Sequence, residues 1–196
     1  MDIVQLPLFP LHAVLFPGGP LRLRIFEARY VDMIGRCMRE NMPFGVALIV
    51  EGKEVGPAKT VSIGTTARIE DFERLHDGLL GIAARGEQRF RILSVSVQED
   101  GLNIARAELL IEEEPVAVPS ELESLAALAN GLYSQVSALY HDMAPRLEDA
   151  SWLSSRLAEL LPLDLSTRQA CLAMDDPLDR LRYLSVHVPG FMGARE

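Results

Sequence analysis

The sequence predicts an α+β fold, in which a barrel-like unit of short strands with one inserted helix precedes a small helical bundle. Three observations support this expectation. Turn residues separate short apolar or alternating segments over residues 1–116, whereas apolar residues recur at helical spacing over residues 117–196. The acidic, proline-containing stretch 112–119 separates the two patterns. We therefore expect a β-barrel subdomain at 1–116 and a helical-bundle subdomain at 117–196.

The first part of the chain is typical of strands joined by turns. Pro and Gly at 16–20 interrupt both helix and strand, and residues 21–25 then alternate between aliphatic residues and arginine. Asp100-Gly101 between two β-rich segments predicts a hairpin. Further strand segments are expected at 44–50, 60–69, 79–83, 88–97 and 102–110. Several short strands at this spacing indicate a barrel or a sandwich.

One helix is expected among these strands, from about Glu27 to Asn41, ending before Pro43. Its apolar residues recur every three or four positions and form one stripe: Phe26, Tyr30, Met33, Ile34, Cys37 and Met38. A stripe of this kind is usually the buried face of a helix. We expect the helix to pack against the strands.

The second part of the chain carries helix signals. Ser120 and Ser166 each precede a Glu or Gln by three residues, which is the spacing of a capping box. Asp176 followed by Pro177 is typical of a cap followed by proline at the first helical position. A further helix is expected at 152–161, where leucines recur at helical spacing. Together these segments predict a helical bundle.

Composition narrows the classes of function. A net charge of −9 argues against a general nucleic-acid binder, which needs positive surface to displace counterions from phosphates. No apolar run approaches the roughly 18 residues that a membrane span requires, and Asp2 stands where a secretory signal has basic residues. Cys37 and Cys171 lie far apart without a metal-binding spacing, which favours free thiols of a reducing compartment over a disulfide between them. We expect a cytoplasmic protein without a membrane segment.

The sequence contains no recognisable motif for catalysis, a cofactor or a metal. Phosphate-binding loops, dinucleotide fingerprints and the Gly-x-Ser-x-Gly nucleophile motif are absent. Lys53 and Lys59 lie in a loop with Gly and Pro, where the burial that activates a dyad lysine is not expected. The four histidines are dispersed without ligand spacing: His12, His76, His141 and His187. We expect no catalytic residue, no metal and no cofactor, and an unrecognised enzyme is the least favoured class.

A series of motifs resembles a known family. In the first part they are Leu6-Pro7-Leu8-Phe9-Pro10-Leu11, Val14 to Gly18, Leu21 to Ile25, Phe26-Glu27-Ala28-Arg29-Tyr30, Phe44 to Ile49, Ile63-Gly64-Thr65, and Gly78 to Gly86 followed by Arg89-Phe90-Arg91. In the helical part they are Leu157 to Pro162, Arg168-Gln169, Leu172 and Asp179-Arg180-Leu181. Their order resembles the N-terminal, substrate-binding domain of Lon-type ATP-dependent proteases over nearly the whole chain.

The resemblance implies a PUA-like, six-stranded pseudo-barrel with one helix, followed by a helical bundle. In Lon proteases an ATPase module and a Ser–Lys peptidase module follow this domain, and their motifs do not occur in this sequence. The resemblance therefore implies a free-standing, non-catalytic member that binds unfolded or extended polypeptide segments. Such a protein would act as an adaptor in protein quality control, together with a separate protease or chaperone.

Four aromatic residues of the shared motifs are the candidates for binding a polypeptide: Phe16, Phe26, Tyr30 and Phe44. Bound segments would pair with a sheet edge and place side chains in an apolar groove. A core role competes with this interpretation and is favoured for the residues on the helical stripe.

The arginines support an alternative function. Arg22 and Arg24 share one face of a strand, and Arg89 and Arg91 share one face of another. If the two strands are neighbours, the four side chains form a basic patch, and PUA-like barrels elsewhere engage RNA. Cross-strand pairing with carboxylates is the favoured explanation of these arginines. The sequence leaves the oligomeric state and the identity of the partner open.

Overall fold

The strands form one sheet that closes on itself. The computed structural model describes residues 2–54, 58–140 and 143–188, and shows a mixed α/β fold. The first part contains β1 (Ile3–Leu11), β2 (Pro20–Ile25), α1 (Ala28–Glu40), β3 (Phe44–Gly52), β4 (Ala58–Thr60), β5 (Ile63–Arg74), β6 (Leu80–Val97) and β7 (Asn103–Leu109). The sheet order is β1-β7-β6-β5-β3-β4, and β1 also pairs with β3 in parallel. Since that pairing joins β3 back to β1, the strands β1, β7, β6, β5 and β3 form a closed barrel.

Two strands lie outside this ring. Within the part of the chain that the structure describes, β2 pairs only with the first part of β6, and β4 pairs with the end of β3. The described residues thus hold seven strands, whereas the family resemblance implied six. The three-residue strand β4 is too short to show as a hydrophobic pattern. β6 runs unbroken through Gly86, where the sequence predicted two separate segments, because it bonds to β5 on both sides of that glycine.

Among the described residues of the first part, the helix α1 contributes its apolar stripe to the larger of two core clusters. Tyr30, Met33, Ile34 and Cys37 are all buried on this face. The Tyr30 ring stacks on Phe9, with ring centroids 4.0 Å apart. Fully burying an aliphatic or aromatic side chain contributes about 1.5–3 kcal/mol, so this stripe fixes the helix on the barrel.

The smaller core cluster surrounds Phe90. Gly45 and Gly64 leave room for its ring, because a Cβ at either position would lie within 3 Å of Phe90 Cζ. The remaining buried members of this cluster are aliphatic: Leu6, Leu8, Ala47, Ala105 and Ala107. The glycines of β3 and β5 are therefore packing positions.

The second part of the chain contains the helices α2 (Glu123–Val136), α3 (Ala150–Leu160), α4 (Leu165–Ala173) and α5 (Pro177–Ser185), with short 3-10 turns at Ser120–Leu122 and Ser137–Tyr140. The cap predicted at Asp176 is confirmed, because its carboxylate accepts hydrogen bonds from the Leu178 and Asp179 amides. None of these helices, nor α1, is long and apolar enough to cross a membrane.

Both predicted capping boxes are wrong. Ser120 begins a 3-10 turn and caps no helix, and α2 begins only at Glu123. The cap of α4 is Asp164, whose carboxylate accepts hydrogen bonds from the Thr167 amide and hydroxyl, both at 2.8 Å. Ser166 lies within the first turn and donates its hydroxyl proton to the same carboxylate. Asp164, not Ser166, is the cap because its two carboxylate oxygens accept hydrogen bonds from three donors at once.

The chain divides into two compact units, Met1–Glu112 and Glu113–Glu196. This division precedes the predicted boundary at 116/117 by four residues. The reason is that residues 113–116 bond to the helical unit. Ala150 donates its amide to the Val116 carbonyl at 2.7 Å, and Ser151 donates its hydroxyl to the Glu114 carbonyl at 3.0 Å.

Candidate functional site

The four aromatic candidates do not form a common surface. Phe16 and Phe44 are fully buried, and Tyr30 is 3% exposed. Tyr30 and Phe44 both pack against Phe9 in the barrel core. Phe26 alone is open to solvent, with 59% of its surface exposed. In this structure a ligand therefore has access to Phe26 but not to the other three.

The four arginines do not form one patch either. Arg22 and Arg24 lie opposite Ala83 and Gly81 of β6. Arg89 lies six residues beyond Ala83 on the same strand, about 20 Å away. Arg89 is also buried, with 6% of its surface exposed.

Carboxylates account for two of these arginines. Arg24 forms an ion pair with Asp77. Arg91 lies directly opposite Glu108 in the pairing of β6 with β7, and its Nη1 is 3.2 Å from Glu108 Oε2. Cross-strand pairing, the favoured explanation at the sequence level, is therefore confirmed for Arg91.

An open groove of about 360 Å³ lies across β2, β6 and β5. Small residues of β6 form its floor, since Arg22, Ala83 and Asp71 lie in one row across β2, β6 and β5. The next row that shares this face is Arg24, Gly81 and Glu73. Arginines of β2 thus lie across from carboxylates of β5, so positive and negative side chains balance in the groove.

Two stretches of strand with a single partner carry charges. β2 has one partner strand and presents Pro20, Arg22 and Arg24 along its length. The last part of β5 pairs with β6 alone and is also rich in charge, as its sequence Glu70-Asp71-Phe72-Glu73-Arg74 shows. Charged residues and proline on an edge discourage the addition of a further strand.

The end of β6 is different. β5 pairs with β6 only as far as Arg91, with one more bond from the Ile92 amide to the Ser62 carbonyl at 2.7 Å. The chain before Ser62 turns away, because the Val61 amide bonds to the Leu48 carbonyl. Among the described residues, the segment 93–97 consequently pairs with β7 alone.

This segment has no charge and no proline, and its aliphatic side chains face solvent. Leu93, Val95 and Val97 are exposed to 43%, 46% and 68%, and Ser94 and Ser96 alternate with them. Exposed aliphatic residues on an unpaired strand are a template for pairing with another chain. We call residues 93–97 the open edge.

The backbone polarity of the open edge follows from its hairpin. The Gln98 amide donates to the Leu102 carbonyl at 2.8 Å, so the backbone groups of Gln98 point towards β7. Antiparallel pairing alternates, so Ser96 also points towards β7, whereas Val95 and Val97 point away from it. Two amide donors and two carbonyl acceptors are therefore available on the open edge.

A cavity of about 350 Å³ lies beside the open edge. Ile92 and Val95 of β6 line one side of it, and β4 with residues 60–62 lines another. A strand that extended β5 on the N-terminal side of Ile63, alongside β6, would occupy this cavity. The cavity is within the size range of ligand pockets, about 300–1,000 Å³.

The described residues show no arrangement suited to metal binding or to a thiolate nucleophile. No group of His, Cys, Asp and Glu side chains among them is placed to hold a metal ion. Burial raises the pKa of both Cys37 and Cys171 to about 11, which keeps these thiols protonated at neutral pH. His141 lies outside the described residues. The chemistry available at the open edge is hydrogen bonding and apolar contact.

Comparison with known proteins agrees with this fold and these motifs. The sequence profile of the "ATP-dependent protease La (LON) substrate-binding domain" matches residues 5–188. The chain belongs to the Lon substrate-binding domain family. The family predicted from the motifs is thereby confirmed.

Solved structures of this family resemble the chain closely. A Lon N-terminal domain protein from Xanthomonas campestris is 36% identical, with a TM-score of 0.82, and the match covers 95% of this chain and 100% of that one. The N-terminal domain of a Mycobacterium avium complex Lon protease has a TM-score of 0.65 at 21% identity, which shows a shared fold. That match covers 94% of this chain and 100% of the other.

Among full-length relatives, Lon protease 2 of Herpetosiphon aurantiacus is 31% identical over 93% of this chain. The protein cereblon of Xenopus tropicalis is 29% identical over 62% of this chain. The matches cover 23% and 26% of those two proteins, so the chain spans about a quarter of the length of these relatives.

The open edge is the feature that analysis of the sequence missed. The alternation of Leu93, Val95 and Val97 with serines did predict a strand at 88–97. Period-two alternation shows that a strand has two different faces, but it does not show which neighbour the strand lacks. The only available signal was the absence of charge from five consecutive residues in an acidic protein.

Proposed function

We propose that this protein is a non-catalytic recognition module that binds unfolded or extended polypeptide segments. It acts as a cytoplasmic adaptor in protein quality control and presents bound segments to a separate protease or chaperone. Its barrel is of the PUA-like type. Family membership supports substrate recognition, and the region matched is a substrate-binding domain.

The observation that carries the proposal is the open edge. Exposed edges are normally short, charged or covered, because they invite association. Residues 93–97 keep exposed aliphatic side chains and unpaired backbone groups on a strand that is otherwise paired on both sides. An extended polypeptide supplies the complementary backbone groups.

RNA binding has less support from the geometry. The four arginines that suggested it lie in two separate places, one of them is buried, and two are paired with carboxylates. RNA binding would appear as retention that falls with salt and with Arg22→Ala. We expect no such retention.

A direct binding measurement tests the proposal. The purified protein is titrated with a reduced, alkylated and permanently unfolded polypeptide, and separately with the same polypeptide in its native, disulfide-bonded form. We expect saturable binding of the unfolded form only, with no cleavage in the presence or absence of ATP. No binding at high micromolar concentration would overturn the proposal.

A further inference from the structure

We infer that polypeptide binds by adding a strand to the open edge of β6, and that the segment selected is uncharged, with aliphatic side chains at alternate positions. This inference rests on the proposed function of polypeptide recognition. It adds the place of binding, the mode of binding and the chemical class of the segment.

The backbone groups of the open edge are complementary to those of an extended polypeptide. Val95 and Val97 direct their N–H and C=O groups away from β7, and no strand among the described residues receives them. A segment of about five extended residues can satisfy all four groups in register with 93–97. Such bonds are independent of sequence, so they suit a protein that binds many different unfolded chains.

The cavity beside the open edge can receive side chains of the added strand. Alternate side chains of an added strand lie on the face of Val95 and enter the space bounded by Ile92, Val61 and Leu8. Lys59, Thr60, Ser62 and Asn103 also line the cavity. The side chains of Ile92, Val61 and Leu8 are aliphatic, however, and favour aliphatic side chains beside them. The specificity of the site therefore comes from alternate positions of the bound segment.

Charge sets the third property of the bound segment. The protein carries a net charge of −9, which repels acidic segments. The open edge itself contains no charge, so it offers no partner to a basic side chain. The net charge thus disfavours acidic segments, and a basic side chain gains no ion pair with residues 93–97.

The contrast with β2 supports a dedicated role for the open edge. β2 is also an edge strand, but it presents Pro20, Arg22 and Arg24. β2 thus carries the usual protection against strand addition, and the open edge does not.

One substitution tests the contribution of backbone pairing to peptide binding separately from that of side-chain contacts. Val97→Pro removes an amide that points outward, so it deletes a donor of the open edge while leaving the bonds between β6 and β7 in place. Val97→Thr is the matched control, because it keeps the amide and a β-branched side chain.

A second pair of substitutions tests the side-chain environment. Val95→Lys introduces a charge beside the cavity, and Phe72→Lys places the same charge on an exposed position of β5.

The probe is a synthetic peptide in which valine and threonine alternate over five positions. We expect Val97→Pro and Val95→Lys to weaken its binding about tenfold, and Val97→Thr and Phe72→Lys to change it less than about threefold. A peptide with glutamate in place of each valine should bind more weakly than the valine peptide. In the unsubstituted protein, peptide binding should slow hydrogen exchange of the Val95 and Val97 amides but not of the Ser96 amide, which already faces β7.

The outcomes distinguish this inference from the proposed function. If the unfolded polypeptide binds but neither substitution weakens it and the two valine amides gain no protection, the open edge is not the site. The proposed function would then stand. If the unsubstituted protein binds neither probe, both are overturned. A dimer that Val97→Pro dissociates, without peptide binding, would assign the edge to self-association and overturn the inference.

Discussion

Arg180 and Glu113 form a two-point ion pair within the second compact unit. Arg180 Nη1 lies 2.9 Å from Glu113 Oε1, and Nη2 bonds to Oε2 of the same carboxylate. Arg180 is 1% exposed, and its Nε donates to Ser154 Oγ at 2.8 Å. Glu113 belongs to the acidic stretch from which the sequence predicted only a boundary. It instead fixes the start of the helical unit to α5.

We expect Glu113→Ala to lower the free energy of unfolding by about 3–5 kcal/mol, because it leaves a buried guanidinium without its carboxylate. Urea denaturation followed by circular dichroism measures the effect. The matched control is Asp179→Ala, which breaks the Arg182–Asp179 pair, exposed to 56% and 66%. Exposed pairs contribute only about 0–1 kcal/mol. Equal losses in the two variants would contradict a structural role for Glu113.

Phe44 and Phe26, two of the aromatic candidates for binding, should differ in their contribution to stability. Phe44→Ala removes a fully buried ring, so we expect a loss of about 3–5 kcal/mol in the free energy of unfolding. Phe26→Ala removes a ring that is 59% exposed, so stability should change by less than about 0.5 kcal/mol. Thermal and urea unfolding of both variants test this. A stable Phe44→Ala variant with impaired polypeptide binding would restore the binding role predicted for Phe44.

The two glycines around Phe90 predict a second contrast. At Gly64 an added Cβ would lie 2.3 Å from the Val46 carbonyl oxygen, which is backbone and cannot rotate away. At Gly45 the nearest atoms belong to the side chains of Phe90 and Leu8. Overpacking costs about 1–3 kcal/mol and sometimes more, so we expect Gly64→Ala to destabilise more than Gly45→Ala.

A double-variant measurement tests the cause of that contrast. Phe90→Leu should partly rescue Gly45→Ala, because it shortens the side chain that the new methyl group meets. It should not rescue Gly64→Ala, whose principal clash is with the backbone. Equal rescue of both would show that Phe90 causes both clashes.

The cap of α4 predicts a dependence of stability on pH. Hydrogen bonds from the Ser166 hydroxyl, and from the Thr167 amide and hydroxyl, lower the pKa of Asp164 well below its usual value. A carboxyl group whose pKa is lowered by folding stabilises the protein above the unfolded-state pKa, about 3.9, and loses this contribution as the pH falls. Asp164→Asn should therefore flatten the decline of the free energy of unfolding below about pH 4. Parallel pH profiles for the two proteins would show that the cap does not contribute.

The sequence by itself determined the local features of this protein. Alternation at 21–25 and the Asp100-Gly101 turn predicted β2 and the β6–β7 hairpin, because turn chemistry and face polarity are set by neighbouring residues. The same holds for the cap at Asp176. The ordered motifs determined the family.

Only the tertiary structure decided which residues are accessible. Phe16 and Phe44 are core because strands distant in sequence cover them, and Arg22 and Arg89 are apart because β2 pairs with the other end of β6. The open edge depends on a single turn at Val61, which takes the chain away from β6 after its bond at Ile92. Hydrophobic periodicity records which face of a strand is buried. Residues 93–97 lack a neighbour because of how β6 pairs with the chain near Ser62, about thirty residues earlier in the sequence. No local sequence pattern contains that information.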